Sequence, residues 1–385
     1  ATMFLPVTAG NFIGVEQSSL IRPAIGVNFT LGFDHTLDTA KSGKVSSGNV
    51  VDVDNIRLGN LCEPCNFTTV IRPHLDNRKL VRRCQSEQCQ RQADVIIENF
   101  KVGGLAKFGL DYASLAPSNP GLVYCSITGF GQTGPYAPRA GYDFIIQAMG
   151  GIMDLTGEPD GEPQKPGMAY SDLMTGLYGV IGIQAALAQR AITGKGQHID
   201  MSLFDTQLAV LPNQTNNYLT SGKVPRRMGN AHPNIVPYQV FYASDAPFVI
   251  ACGNDHQFEH LCQKLNLTLH TDPRFSKNTN RVTHREALIP LLADEMAKHT
   301  RAEMLALMEA AGVPAGPINT VAEALADPQA QSRAMVQDHG QTRSVRLPIK
   351  FSDSTLPTPT AAPLKDADGP AIRTAAAQHR WPTKD

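Results

Sequence analysis

Asp172 lies in the run YSDLMTGLYG, behind a loop rich in proline and glycine and at the head of a long apolar segment. An aspartate in that place can accept hydrogen bonds from the free N–H groups of a helix start and face the positive end of the helix dipole. Both effects favour the ionised carboxylate, the form able to act as a nucleophile. A plain N-cap explains the same residue type, and on position alone it is the commoner explanation. Tyr142 and Asp143, in AGYD, pair a phenol with a second carboxylate. Arg226 and Arg227 could hold a substrate carboxylate, although an exposed basic turn is the commoner use of such a pair. Cys62, Cys65, Cys84 and Cys89 form a C-x2-C…C-x4-C spacing that superficially suits tetrahedral zinc. The second pair is loosely spaced and no knuckle glycines lie between, so no metal is expected.

The elements that must carry these residues can be read from about Ala93 onward. ADVIIENF ends with the continuous apolar run of a buried strand, and LAKFGLDYASLAPSNP reads as helical up to its turn residues. GLVYCSITGFG (121–131) is a second buried strand that enters a glycine-rich loop. An apolar segment, FIIQAMGGIMDLTG, follows. Asp172 opens a strong helix closed by Thr193-Gly194, and QHIDMSLFDTQLAVL supplies a strand and a helix start. Strands alternating with helices indicate an α/β fold with a parallel sheet. The polar, Pro/Gly-rich stretch after about residue 213 reads as a connection into a smaller domain. That domain holds a strand in PFVIACG and helices in HQFEHLCQKL, in HREALIPLLADEMAKHT (interrupted at Pro290) and in AEMLALMEAAG. The Pro/Thr-rich tail past Leu356 reads as extended chain.

The totals narrow the function. With 385 residues two domains are the natural expectation. Lys+Arg is 34 against Asp+Glu 35, so no basic footprint points to nucleic acid. No run approaches the roughly 18 apolar residues of a membrane span, and no basic leader precedes an apolar core. Seven cysteines, an odd number, fit free thiols in a reducing cytoplasm, and the N-x-T sequons at Asn28 and Asn66 read as chance. A leader already removed in an organelle would leave no trace.

From ADVIIENF to about FSDST the chain resembles the class III CoA-transferases, the formyl-CoA transferase-like or CaiB/BaiF family. The stretches ADVIIENFKVGGLAKFGLDYASL, NPGLVYCSITGFGQTGPYAPRAGYD, AYSDLMTGLYG, TGKGQHIDMSLFD, RMGNAHPNIVPYQ, AGVPAGPIN and LPIKFSD carry the resemblance, in family order and spacing. It implies that Asp172 is the acyl carrier and that coenzyme A, with no metal, is the cofactor. It further implies that Asn99, Phe100, Lys107 and Tyr142 border the CoA. Tyr142, Asp143, Gly229, Asn230 and His232 would then face the substrate acid, the last three in a loop over the site. The wording GNAHPNIVPYQ is similar to that of dicarboxylate-acting members such as the succinyl-CoA:glutarate CoA-transferases.

The implied architecture is a Rossmann-like large domain from residues 1–210 and 326–385, a linker and small α+β domain at 211–325, and an interlocked homodimer. The N-terminal part departs from the family pattern: only Val7-Thr8-Ala9-Gly10 and Asn77-Arg78-Lys79 echo it, so its CoA contacts are not carried over. Two rival readings remain. One is an α-methylacyl-CoA racemase, whose motif has a histidine where this chain has Tyr142, and a phenol with a pKa of roughly 10 is a poor base. The other is a CoA-binding protein without catalysis.

Overall fold

The computed structural model describes residues 68–70, 93–339, 343–356 and 370. The four-cysteine spacing, both sequons, the two N-terminal echoes and most of the Pro/Thr-rich tail lie outside the described residues.

Four strands, β1 (Thr68–Val70), β2 (Val95–Glu98), β3 (Val123–Thr128) and β4 (His198–Ser202), form a parallel sheet in that order. Every residue of β2 and β3 is buried, the reason these strands read as continuous runs rather than alternating ones. Their alternate side chains nevertheless part cleanly between two faces. Val95, Ile97, Val123, Cys125 and Ile127 pack with Ile146, Ile183, Ala186 and Leu203 from the covering helices. On the other face Ile96, Leu122 and Tyr124 pack with Leu105, Leu110 and Leu115. Toward the strand ends that second face turns polar, with Glu98 opposite Ser126 and Tyr124 opposite His198.

The helices on the first face are α1 (Asp143–Met149), α2 (Tyr170–Thr193) and α3 (Leu203–Ala209), and α4 (Pro212–Ser221) follows against α3. Gly194, at φ 70°, ends α2 in the left-handed conformation that suits glycine. Arg190, one turn earlier, pairs with Asp94 at 2.9 Å and donates to the Gly121 carbonyl, tying α2 to the starts of β2 and β3.

Three sequence expectations need correction. LAKFGLDYASLAPSNP is not one helix: a 3-10 turn at Ala106–Phe108 and a single helical turn at Tyr112–Leu115 are separated by Gly109 at φ 66°. The supposed connection after residue 213 begins as α4, with Pro212 at the first helical position where its missing N–H costs nothing. Pro290 does not interrupt its helix, which runs through it.

The second sheet is antiparallel: β5 (Tyr238–Tyr242), β6 (Pro247–Ala251) and β7 (Ala315–Pro317). It packs with α5 (Asp255–Lys264), α6 (Arg285–Met296, containing Pro290) and α7 (Arg301–Ala311). Phe241, Phe248, Phe258, Phe275, Leu288, Leu292, Met296, Met304 and Met308 build its core. Arg281 is fully buried there. It donates to the Val236 and Phe275 carbonyls, pairs with Asp255 at 3.0 Å and lies over the Phe258 ring, so its charge is compensated. A hairpin of β8 (Val336–Asp338) and β9 (Arg343–Val345) follows.

Candidate active site

The chain reaches the site through the loop after β3. A Cβ on Gly129 would stand 2.5 Å from the Cα of Gly141, so the loop can cross itself only with glycine at both places. The Gly131 N–H donates to the Thr128 hydroxyl, and the Gln132 N–H to both oxygens of Asp200 on β4. Anchored in this way, the loop delivers Tyr142 and Asp143 to the start of α1.

Asp143 is the organising residue. Its Oδ1 accepts the backbone N–H groups of Ser171 (2.9 Å) and Asp172 (3.3 Å) at the head of α2, and its Oδ2 accepts from Gln147 Nε2 at 2.6 Å. The N-cap residue of α2 is Ala169, which has no capping side chain, so the cap comes from a neighbouring helix. The buried Ser171 hydroxyl donates to Gln207 Oε1 of α3 at 2.7 Å. Gln207 in turn fits only because residue 150 is glycine, where a Cβ would lie 2.2 Å from Gln207 Cγ.

Asp172 is therefore not a cap. It is the third residue of α2, and Asp143 holds the N–H groups it was expected to take. Burial, and then the adjacent Asp143 charge, push the Asp172 carboxyl up to about 6. This runs against the expectation that the helix start would favour its ionised form: desolvation and a like charge act in the opposite direction. At neutral pH such a group is still mostly ionised, yet more basic than an ordinary aspartate.

The other sequence candidates fall into three places. Tyr142 precedes Asp143 with its side chain 69% exposed, so it does not close the core as a half-buried tyrosine would. Asn99 is exposed at the end of β2, and Phe100 packs partly against the Leu105 cluster. Lys107 is exposed with its ammonium 4.9 Å from the centroid of the Phe108 ring.

Gly229, Asn230 and His232 form a third group. The Gly229 N–H donates to the Gly157 carbonyl, while His232 lies beside Tyr238 and accepts the Asn234 N–H on Nδ1. Burial, then the Arg285 charge, hold His232 below the ordinary histidine range, so the bond to Nδ1 leaves Nε2–H as the donor of a neutral ring. Arg227 pairs with Asp154 at 3.1 Å and is largely covered, clamping its segment to the helical turn Ile152–Leu155 that follows α1; Arg226 is exposed. Of these candidates only Asp143 and Asp172 are joined by a direct hydrogen bond.

Sequence reasoning passed over Gln147, Ser171 and Gln207, and also Glu98, Ser126 and His198. A signal existed for the first set: Gln147 in FIIQAM and Gln207 in DTQLAVL are uncharged polar residues inside apolar runs, and both are fully buried.

In class, then, this is an α/β protein whose parallel sheet and long covering helix present a half-buried, basic carboxylate suited to acyl chemistry. Residues 84–369 match the model of CoA-transferase family III. A succinate–glutarate CoA-transferase of Agrobacterium fabrum is 51% identical over 272 residues, 69% of this chain and 68% of that one. An acetyl-CoA:oxalate CoA-transferase of Acetobacter aceti is 44% identical over 286 residues, 74% of each. A crystal structure of a CaiB/BaiF family protein from Brucella suis superposes with a TM-score of 0.67 at 55% identity, covering 78% of this chain and 79% of that one. The chain belongs to CoA-transferase family III, and is a class III CoA-transferase.

Proposed function

We propose that the chain moves CoA from an acyl-CoA to a free dicarboxylic acid through covalent intermediates on Asp172. The observation that carries this reading is the Asp172 carboxyl itself, covered, raised to about 6 and held beside the Asp143 cap. Asp172 attacks the thioester carbonyl and expels CoA thiolate, leaving a mixed anhydride. The thiolate attacks the aspartyl carbonyl, releasing the donor acid and leaving an aspartyl–CoA thioester. The acceptor carboxylate attacks that thioester to give a second anhydride, and the thiolate then takes the new acyl group and frees Asp172. No net proton is consumed, and the scheme uses no cofactor besides CoA. Covalent storage conserves the thioester against water.

Asn99, Phe100 and Lys107 border the nucleotide end of CoA, at the strand ends where α/β sheets take ligands. Tyr142 spans CoA and acid, with its exposed phenol as a donor. Gly229, Asn230 and His232 face the acid, where the His232 Nε2–H can donate to a carboxylate. A dicarboxylate is favoured because the relatives above carry succinate, glutarate or oxalate in their names. The domain division at 1–210, 211–325 and 326–385, with a Rossmann-like large domain, and the interlocked homodimer complete the reading. The buried free thiols of Cys125, Cys252 and Cys262 suit a cytoplasmic protein.

The test is isotope exchange between succinyl-CoA and labelled free succinate, followed by hydroxylamine trapping. Wild type should exchange label and carry the hydroxamate at Asp172, and Asp172→Asn should do neither. Exchange persisting in the Asn variant, with no adduct at Asp172 in wild type, sinks the covalent scheme. Binding of CoA without any exchange would mark a mere CoA-binding protein.

A further inference from the structure

Glu98 ends β2 and immediately precedes Asn99 and Phe100. Its side chain folds back into the protein, only 8% of the residue being exposed, and accepts the Phe100 N–H at 2.7 Å. That bond closes the turn on which both residues stand. Ser126 stands in register with Glu98 on β3 and favours the charged form of the same carboxylate. The Ser126 oxygen also lies 2.9 Å from His198 Nε2. The imidazole stacks on Tyr112 (5.2 Å) and meets Tyr124 edge-on (5.4 Å), and Tyr124 is fixed by its bond to the Leu110 carbonyl. Ser126 thus lies between a buried carboxylate and an imidazole on β4, at the edge of the described sheet.

A carboxylate is an expensive acceptor to bury where an amide would satisfy the same geometry. Its advantage is a charge-assisted bond, about twice as strong as a neutral one, holding a backbone N–H. We infer that Glu98, supported by Ser126 and His198, is a positioning residue that sets the Asn99–Phe100 turn for the nucleotide end of CoA. The inference rests on the reading that Asn99 and Phe100 border CoA. Glu98 shares its cavity with Tyr124 and Ser126 from β3, His198 from β4, and Lys101, Asp111 and Tyr112 from the chain after β2, with Asp200 in register beyond Ser126. Burial raises its pKa against the hydrogen bonds from Ser126 and Phe100, bringing its loss of charge nearer to neutral pH.

The experiment is equilibrium titration of the full chain with free CoA, by calorimetry, between pH 5 and 8. It compares wild type with Glu98→Gln, which keeps the size and an acceptor oxygen. At pH 8 Glu98→Gln should bind CoA about fivefold more weakly. The ratio of the two dissociation constants should shrink toward one as the pH falls and Glu98 of the wild type takes up its proton. The phosphates of CoA also titrate in this range, but their effect cancels in the ratio. Ser126 favours the charged form of Glu98, so with Ser126→Ala the pH at which affinity is lost should move upward. A ratio near one at pH 8, or one that does not change with pH, overturns the inference while leaving the transferase reading intact, as would variants that only lower the melting temperature. Wild type that fails to bind CoA at all overturns both.

Discussion

The raised carboxyl of Asp172 makes two demands that can be measured separately. As a nucleophile it must be ionised, so the single-turnover transfer rate should climb as pH rises through about 6 and level off above. Asp143→Asn keeps an oxygen for the α2 N–H groups but removes the like charge. Its acid limb should therefore move to lower pH, and a limb that stays in place would mean that Asp143 does not tune Asp172. The second demand falls on stability. The folded value of about 6 lies above the 3.8 of an unperturbed aspartyl group, so the native state binds the extra proton. The resulting stability is fully present below about pH 4 and is lost as pH rises through about 6. At neutral pH the deficit is at most on the order of 3 kcal/mol, reduced by residual solvent screening. Asp172→Asn, though inactive, should then melt higher than wild type at pH 7.5 and close to it at pH 4. An equal or lower melting temperature at pH 7.5 would show that Asp172 is not strained in its ionised state.

At the scale of elements, what the sequence made legible and what it hid follow one division. The strands β2 and β3 and the helix α2 announce themselves because burial and periodicity are local properties of a run. Asp172 at a helix start was equally legible. Its cap was not, because the capping group sits on a different helix and no spacing within YSDLMTG encodes it. Gly109 broke a promising helical pattern, since the left-handed conformation it adopts belongs to the turn and not to the apolar period. Pro290 misled in the other direction, packing made inside α6 outweighing the cost of one missing hydrogen bond. The glycine-rich loop is the most demanding element. Gly129→Ala would press a methyl carbon against the Gly141 backbone, which no rotamer can relieve. We expect a loss of about 2 kcal/mol or more in denaturant unfolding, together with lost transfer because Asp143 is displaced. Near-normal stability and activity in Gly129→Ala would show that the loop has room to spread.

For the whole molecule the telling feature is α2. Leu173, Met174, Leu177, Tyr178, Val180, Ile181 and Ile183 make it apolar nearly all round, the pattern of a helix buried on every side. Among the described residues one side of it meets the sheet: Ile183 is buried, whereas Leu177, Tyr178 and Ile181 are exposed. Neighbouring α1 exposes Phe144, Ile145 and Met149, and α4 exposes Tyr218 and Leu219. Apolar surface on this scale is seldom left to water and marks a contact with another molecule. The interlocked homodimer proposed above would give it an occupant, a second copy of this chain, set against the helices that carry Asp143 and Asp172. The wild-type protein should scatter light as a dimer at micromolar concentration. Leu177→Lys with Ile181→Lys puts two charges into the seam one helical turn apart, away from the Asp143 contacts at the head of α2. We expect this variant to become monomeric and to lose transfer activity while its far-ultraviolet circular dichroism stays close to wild type. A wild type that scatters as a monomer, or a doubly substituted chain that remains a dimer, would mean that the apolar side of α2 is covered by something other than a second copy.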